Sequence, residues 1–235
     1  MADYFHFKKF SVRHDRSGMK IGTDGALLGA WTDVRQATQI LDIGTGTGVI
    51  ALMLAQRASE SVTIDAVEID YQASADAEEN IAASPWHDRI HLHHSAIQDF
   101  HTTTKFDLIV TNPPYFQKSY KPPTAQREIA RHTEELTFDE ILSIAEKLLA
   151  ANGRLNLILP YTEGLLFIDL ANHKGLHCTR KWIFRTRENK PVERFLLEFR
   201  WDKKPLDEGE ILLYSSGEEW SGGYKELMRE FYLKL

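Results

Sequence analysis

The chain has 235 residues, 43% of them apolar, which is enough for one large domain with a real core. Lysine and arginine number 28 against 34 acidic residues, a formal charge of −6, which argues against a nonspecific nucleic-acid coat but leaves room for a local basic face. The single cysteine, Cys178, excludes an intrachain disulfide framework, and no apolar run reaches the ~18 residues of a membrane span or forms a signal-peptide core, so a cytoplasmic protein is expected.

Residues 1–20 carry Tyr4, Phe5, Phe7 and Phe10 among five basic and two acidic side chains, and read as a lid packed on the core by its aromatics. "IGTDGALLGAW" reads as a glycine-rich turn running into a short helix around Ala26 to Trp31. "QILDIG" is a buried strand, followed at once by helical spacing in "GVIALMLAQR". "VTIDAVEID" is a second strand, and "YQASADAEENIAAS" a helix that is polar on one side, with Pro85 just beyond it. "RIHLHHS" and "KFDLIVT" are the third and fourth strands. Residues 117–136 have little periodicity and are expected to form a long loop. "TFDEILSIAEKLLA" is a helix whose capping box pairs Thr137 with Glu140. "GRLNLILP" is a strand, and "TEGLLFIDLANHKG" a helix stopped by Gly175. The alternation of strands and helices calls for a mainly parallel sheet covered on both faces. "HCTRKWIFRT" and "VERFLLEFRW" then read as an antiparallel pair finishing the sheet, before a short apolar run, "EILLYS", and a final amphipathic helix near "YKELMREFYL".

Three local features carry chemistry. In "LDIGTGTGVIAL", Gly44, Gly46 and Gly48 follow a strand and open a helix, which permits a sharp turn and close backbone approach to a ligand. The dinucleotide spacing G-x-G-x-x-G fails at Val49, and no lysine completes a triphosphate loop. Asp42, two residues before the first glycine, suits a cationic ligand or shapes the turn itself. Glu68 ends the second strand 20 residues after Gly48, where a carboxylate can accept both hydroxyls of a ribose. In "TNPPYF", two prolines without N–H groups stiffen the chain as it leaves a strand. The Asn112 amide oxygen and the Pro113 backbone carbonyl can accept the two N–H bonds of an exocyclic amine, while Tyr115 and Phe116 can stack on its ring. His91, His93 and His94 alternate across a strand with no cysteine or helical H-E-x-x-H beside them, so no metal is expected.

"LDIGTGTG", "VEID" and "NPPYF", in this order, resemble the S-adenosylmethionine-dependent amino-methyltransferases. With "MKIGTDGALLGAW", "SPWHDRI" and "ARHT" added, the chain resembles more closely the bacterial tRNA1(Val) adenine-37 N6-methyltransferases. The resemblance implies an α/β, Rossmann-like class I methyltransferase fold with a seven-stranded, mainly parallel sheet whose last strand is antiparallel. It implies one domain over 1–235, with an N-terminal segment 1–35 on the cofactor and substrate side, a core 36–201 and a C-terminal extension 202–235. It implies S-adenosyl-L-methionine held by Lys20, Thr23, Asp24, Asp42, Gly44, Gly46, Gly48, Glu68, Ala96 and Asn112. Many relatives carry an Asp after the third strand near the cofactor adenine, where this chain has Ser95-Ala96, so the backbone around Ala96 or a side chain such as Asp99 is expected to serve there. Catalysis would fall to Asn112, Pro113 and Tyr115 on a tRNA adenine, with no metal or membrane, in a monomer.

An RNA substrate also asks for phosphate contacts. Residues 171–200 hold eight basic and three acidic side chains, and the stretch after the NPPY turn adds Lys118, Lys121, Arg127 and Arg131. The expected substrate-binding set is Pro114, Tyr115, Phe116, Lys118, Lys121, Arg127, Arg131, His132, Arg185 and Arg187. An rRNA or DNA amino-methyltransferase and a noncatalytic RNA-binding module remain open. A protein glutamine methyltransferase lacks room here for its N-terminal helical domain, and the failed dinucleotide spacing disfavours an oxidoreductase.

Overall fold

The computed structural model describes residues 3–17, 21–114 and 136–234. The expected loop at 117–136 therefore lies outside the described residues except for Leu136. Two short strands, β1 (Tyr4–His6) and β2 (Ser11–Arg13), pair antiparallel. They are followed by α1 (Thr23–Trp31), β3 (Gln39–Ile43), α2 (Val49–Arg57), β4 (Thr63–Glu68), α3 (Tyr71–Ala82), β5 (Ile90–His94) and β6 (Phe106–Thr111). After the undescribed stretch come α4 (Phe138–Leu148), β7 (Leu149–Pro160), α5 (Tyr161–His173), β8 (His177–Arg185), β9 (Arg194–Arg200) and β10 (Asp207–Leu212). A small hairpin, β11 (Tyr214–Ser216) with β12 (Glu219–Trp220), and α6 (Gly222–Met228) complete it.

The main sheet has the order β10-β8-β9-β7-β6-β3-β4-β5. β5, β4, β3, β6 and β7 are mutually parallel, and β9 runs antiparallel to both β7 and β8, as expected of the seven-stranded frame. The apolar run in the tail adds an eighth strand, β10, parallel to β8 at the edge. Alternation along the strands divides the core in two. Ile40, Leu108, Val110 and Ile158 face α1 and α2, whereas Leu41, Ile109, Leu157 and Leu159 face α4 and α5.

The local signals hold where they set backbone geometry. Thr137 and Glu140 form the reciprocal capping box at the start of α4. Gly175, at φ 77°, ends α5, with Leu176 N–H reaching back to the Ala171 carbonyl. Phe7, Phe10 and Val12 bury the N-terminal lid, leaving Tyr4 and Phe5 outside. The last helix differs from the expectation: Ser221 caps it at Gly222 and it stops at Met228, with Tyr232 beyond it bridging to Phe7. Part of the polar side of α3 is also buried. Asp76 and Asn80 are 0% and 3% exposed because the N-terminal segment lies over them. Among the described residues, no helix is long and apolar enough to cross a membrane.

Candidate active site

Strand order reverses between β3 and its neighbours β4 and β6, the place where open α/β sheets bind ligands beyond the carboxyl ends of their strands. A cavity of about 560 Å³ lies there, within the ~300–1,000 Å³ range of small-molecule sites. Four strand ends supply its walls: Gly44–Thr47 after β3, Glu68–Asp70 from β4, Ser95–Gln98 after β5 and Thr111–Pro114 from β6. Ser17, Ile21, Gly22 and Gly25 close it from the N-terminal side, and Leu136 and Glu140 from α4 and the residues leading into it.

The glycine turn is built for contact. Gly44, Gly46 and Gly48 have φ of 67°, 57° and 81°, the left-handed region that side chains resist. A Cβ added at Gly44 or Gly46 would meet nothing within 4 Å, so both backbones border open space. Gly48 instead faces Ala77 and Ile81 of α3 at 3.7 Å and does not line the cavity. The amides of Gly44 and Thr45 both donate to the Val67 carbonyl, at 2.9 and 3.0 Å, which fastens the turn to β4.

Asp42 lies beneath this turn, fully buried, and accepts the Thr45 hydroxyl at 2.6 Å. Burial pushes its carboxyl up from 3.8 to about 7, against the opposing Thr45 hydrogen bond. It shapes the turn and is not among the cavity walls. Glu68 does line the cavity, with Oε2 accepting from Gly46 N–H at 2.7 Å and Oε1 from Asp70 N–H at 2.8 Å. Each carboxylate oxygen has a second lone pair, so two further donors can be accommodated. Asp70 caps α3 through Ala73 N–H.

Asn112, Pro113 and Pro114 enter the same cavity from the end of β6, which the Thr111 hydroxyl ties to the Ile43 carbonyl at 2.9 Å. Ala96 lines it together with Ser95, Ile97 and Gln98, and Asp99 does not. Thr23 and Asp24 open α1 between the wall residues Gly22 and Gly25, and Asp24 pairs with Arg194 at 2.8 Å. Lys20, Tyr115, Phe116, Lys118, Lys121, Arg127, Arg131 and His132 lie outside the described residues. Arg185 and Arg187, at the end of β8, stand away from the cavity walls. The histidines do not cluster: His93 meets Asp65 at 2.6 Å and His94 meets the Ile69 carbonyl, and no metal-binding group occurs among the described residues.

Two features were missed in the sequence. Asn80 accepts Arg13 N–H and donates to the carbonyls of Arg13 and Thr47, while Asp76 accepts the amides of Arg16 and Ser17. The cavity's N-terminal wall is thus pinned to α3 and to the glycine turn. The i, i+4 spacing of Asp76 and Asn80 beside the apolar stripe Ala73, Ala77 and Ile81 was its available signal. The basic run 174–200 is also largely compensated. Arg180, Lys181 and Arg185 pair with Asp207, Glu208 and Glu210 of β10, Arg194 pairs with Asp24, and Arg200 with Glu198. Lys174, Arg187 and Lys190 have no ion pair among the described residues.

Comparison with known proteins agrees with this architecture. The family model "Methyltransferase small domain" matches residues 17–163. Over 238 residues the chain is 44% identical to the tRNA1(Val) (adenine(37)-N6)-methyltransferase of Bacteroides fragilis, covering 99% of this chain and 98% of that one. Identity to the protein of the same name from Phocaeicola vulgatus is 46% over 234 residues, with 99% and 98% covered. In fold, the chain is similar to the T. thermophilus 16S rRNA N2 G1207 methyltransferase in complex with AdoMet and guanosine, with a TM-score of 0.58 at 20% identity over 85% of this chain and 50% of that one. It is also similar to a predicted O-methyltransferase from Agrobacterium tumefaciens, with a TM-score of 0.65 at 17% identity over 88% and 96%.

Proposed function

This chain belongs to the family of tRNA1(Val) (adenine(37)-N6)-methyltransferases, and from that premise we propose how its own residues divide the work. It is an S-adenosylmethionine-dependent enzyme that methylates the N6 amine of adenine in tRNA, with adenine-37 of tRNA1(Val) as its target. S-adenosylmethionine supplies an electrophilic methyl group on a positively charged sulfur. The cavity fits such a molecule: two glycine backbones border open space, and Glu68 offers two lone pairs beside them. Glu68 would hold the ribose hydroxyls, the backbone of Ser95 to Ile97 would border the adenine, and the turn at Gly44 to Thr47, held in shape by Asp42, would face the methionine portion.

The reading of the chemical step rests on one observation: Asn112 and Pro113 enter the same cavity as Glu68 and the glycine turn. An exocyclic amine is a weak nucleophile because its lone pair is delocalised into the ring. The Asn112 amide oxygen would accept one N–H and the Pro113 carbonyl the other, orienting the nitrogen and favouring positive charge as it becomes tetrahedral. Once alkylated, the nitrogen is acidic and gives its proton to solvent, so no strong base is required. A tRNA substrate sets this work in the cytoplasm.

Single-turnover methylation of an adenosine-containing anticodon stem-loop, with both substrates saturating, tests the assignment. Asn112→Ala should slow transfer by about a hundredfold, the equivalent of ~3 kcal/mol, while S-adenosylmethionine still binds. Transfer at the parental rate would make the turn purely structural. Mapping of the methylated nucleoside in total RNA distinguishes tRNA adenine-37 from an rRNA or DNA target.

A further inference from the structure

We propose that Tyr161 is a stacking platform for the RNA base next to the target adenine, on a strip that runs along the carboxyl edge of the sheet from the Asn112 turn to the end of β8. The proposal rests on the tRNA-methyltransferase reading and adds to it the surface on which the single strand lies. Pairing sets the order of that strip. Thr111 sits opposite Leu157, and β7 runs three residues farther to Pro160, so the Asn112-Pro113-Pro114 turn leaves β6 alongside the last residues of β7, just before Tyr161. Pro160 sits opposite Arg194 in β9, and Arg194 opposite Phe184 in β8. With neighbouring strands about 4.8 Å apart, three steps carry the strip about 14 Å across the sheet from β6 to β8.

Tyr161 has the properties such a platform needs. The residue is 44% exposed although it opens α5 directly at the strand end. Its ring is backed by Phe195, with centroids 5.1 Å apart and planes at 34°, and Phe195 is itself buried. One face of the tyrosine is therefore held by the core, which lowers the ordering cost of receiving a base on the exposed side. Its backbone N–H donates to the Glu193 carbonyl at 3.3 Å, which ties the residue to the connection between β8 and β9.

That connection carries the cations this edge leaves uncompensated. Arg187 lies over the Tyr214 ring at 5.0 Å, Lys190 is exposed, and neither makes an ion pair among the described residues. Arg180, Lys181 and Arg185 are neutralised by β10, so the free charge falls at the strip and not along the strand. An exposed aromatic beside a catalytic turn, followed by cations, suits a single-stranded loop whose bases can be splayed and stacked.

The test measures binding of a synthetic anticodon stem-loop with unmodified adenine at the target position, carrying 2-aminopurine at the neighbouring nucleotide. Tyr161→Ala should weaken RNA binding by about tenfold or more, within the range for loss of one stacked base, and should abolish the change in 2-aminopurine fluorescence on binding. Tyr161→Phe should restore both, and S-adenosylmethionine affinity and thermal stability should stay at the parental level in Tyr161→Phe. Replacing Arg187 and Lys190 with glutamine should reduce the salt dependence of binding, whereas the same change at Arg180 and Lys181 should not. Parental RNA affinity and an unchanged fluorescence response in Tyr161→Ala would overturn the platform. Failure of the unsubstituted enzyme to bind or methylate the stem-loop would instead overturn the tRNA reading on which the proposal stands.

Discussion

Replacing Asn80 with alanine removes three hydrogen bonds at one stroke. The side-chain oxygen accepts Arg13 N–H at 2.7 Å, and the amide nitrogen donates to the carbonyls of Arg13 and Thr47, both at 2.9 Å. At about 1 kcal/mol net apiece, the bonds together contribute about 3 kcal/mol. Asn80 is only 3% exposed, so the Thr47 carbonyl would be left buried and short of a donor, adding about 1 kcal/mol or more. For a chain of this length, a loss of that size lowers the melting temperature by about 10 °C. The same bonds hold the N-terminal wall of the cavity against the glycine turn, so S-adenosylmethionine affinity should fall together with stability. Asn80→Asp should be no milder, because a carboxylate still accepts from Arg13 N–H but has no donor for the two carbonyls. Scanning calorimetry gives the first quantity and titration calorimetry the second. If Asn80→Ala melts within about 2 °C of the parent and binds the cofactor equally well, the clamp has been assigned too much.

Two further outcomes follow from the cavity floor. Glu68→Gln keeps one acceptor for the amides of Gly46 and Asp70 and presents an NH2 group to the other, so cofactor affinity should drop by at least about thirtyfold, and titration calorimetry at the parental value would remove Glu68 from the ribose site. Asp42 gives a pH signature: its folded value is raised to about 7 from 3.8, so between those values the folded state retains a proton that the unfolded chain has released. This carboxyl should therefore make the cofactor-free protein less stable as pH rises through that window, by up to about 1.4 kcal/mol per unit. Asp42→Asn, whose oxygen can still accept from Thr45, should remove that component of the slope in denaturant titrations, and an identical pH profile would refute the buried-carboxyl account.

The sequence by itself determined the features that depend on neighbours along the chain. The spacing of Gly44, Gly46 and Gly48 specifies a left-handed turn because only glycine adopts it freely, and Thr137 with Glu140 specifies a helix start because the reciprocal bonds span three residues. The places of Glu68 and Asn112 on the cavity wall were legible because each stands at the end of an apolar strand, where a parallel sheet delivers residues to one edge. Tertiary structure decided the rest. α3 reads as polar on one side, yet Asp76 and Asn80 are buried because a segment about sixty residues upstream supplies backbone amides and carbonyls to satisfy them. The basic run on β8 reads as a phosphate surface, yet β10 lays Asp207 and Glu208 opposite Arg180 and Lys181 in parallel register. The i, i+4 spacing of Asp76 and Asn80 marks a polar pair without naming its partner, and the β10 pairing leaves no trace at strand spacing. Each exists only because the tertiary fold brings distant residues within hydrogen-bonding reach, and the β10 register fixes which β8 cations are paired.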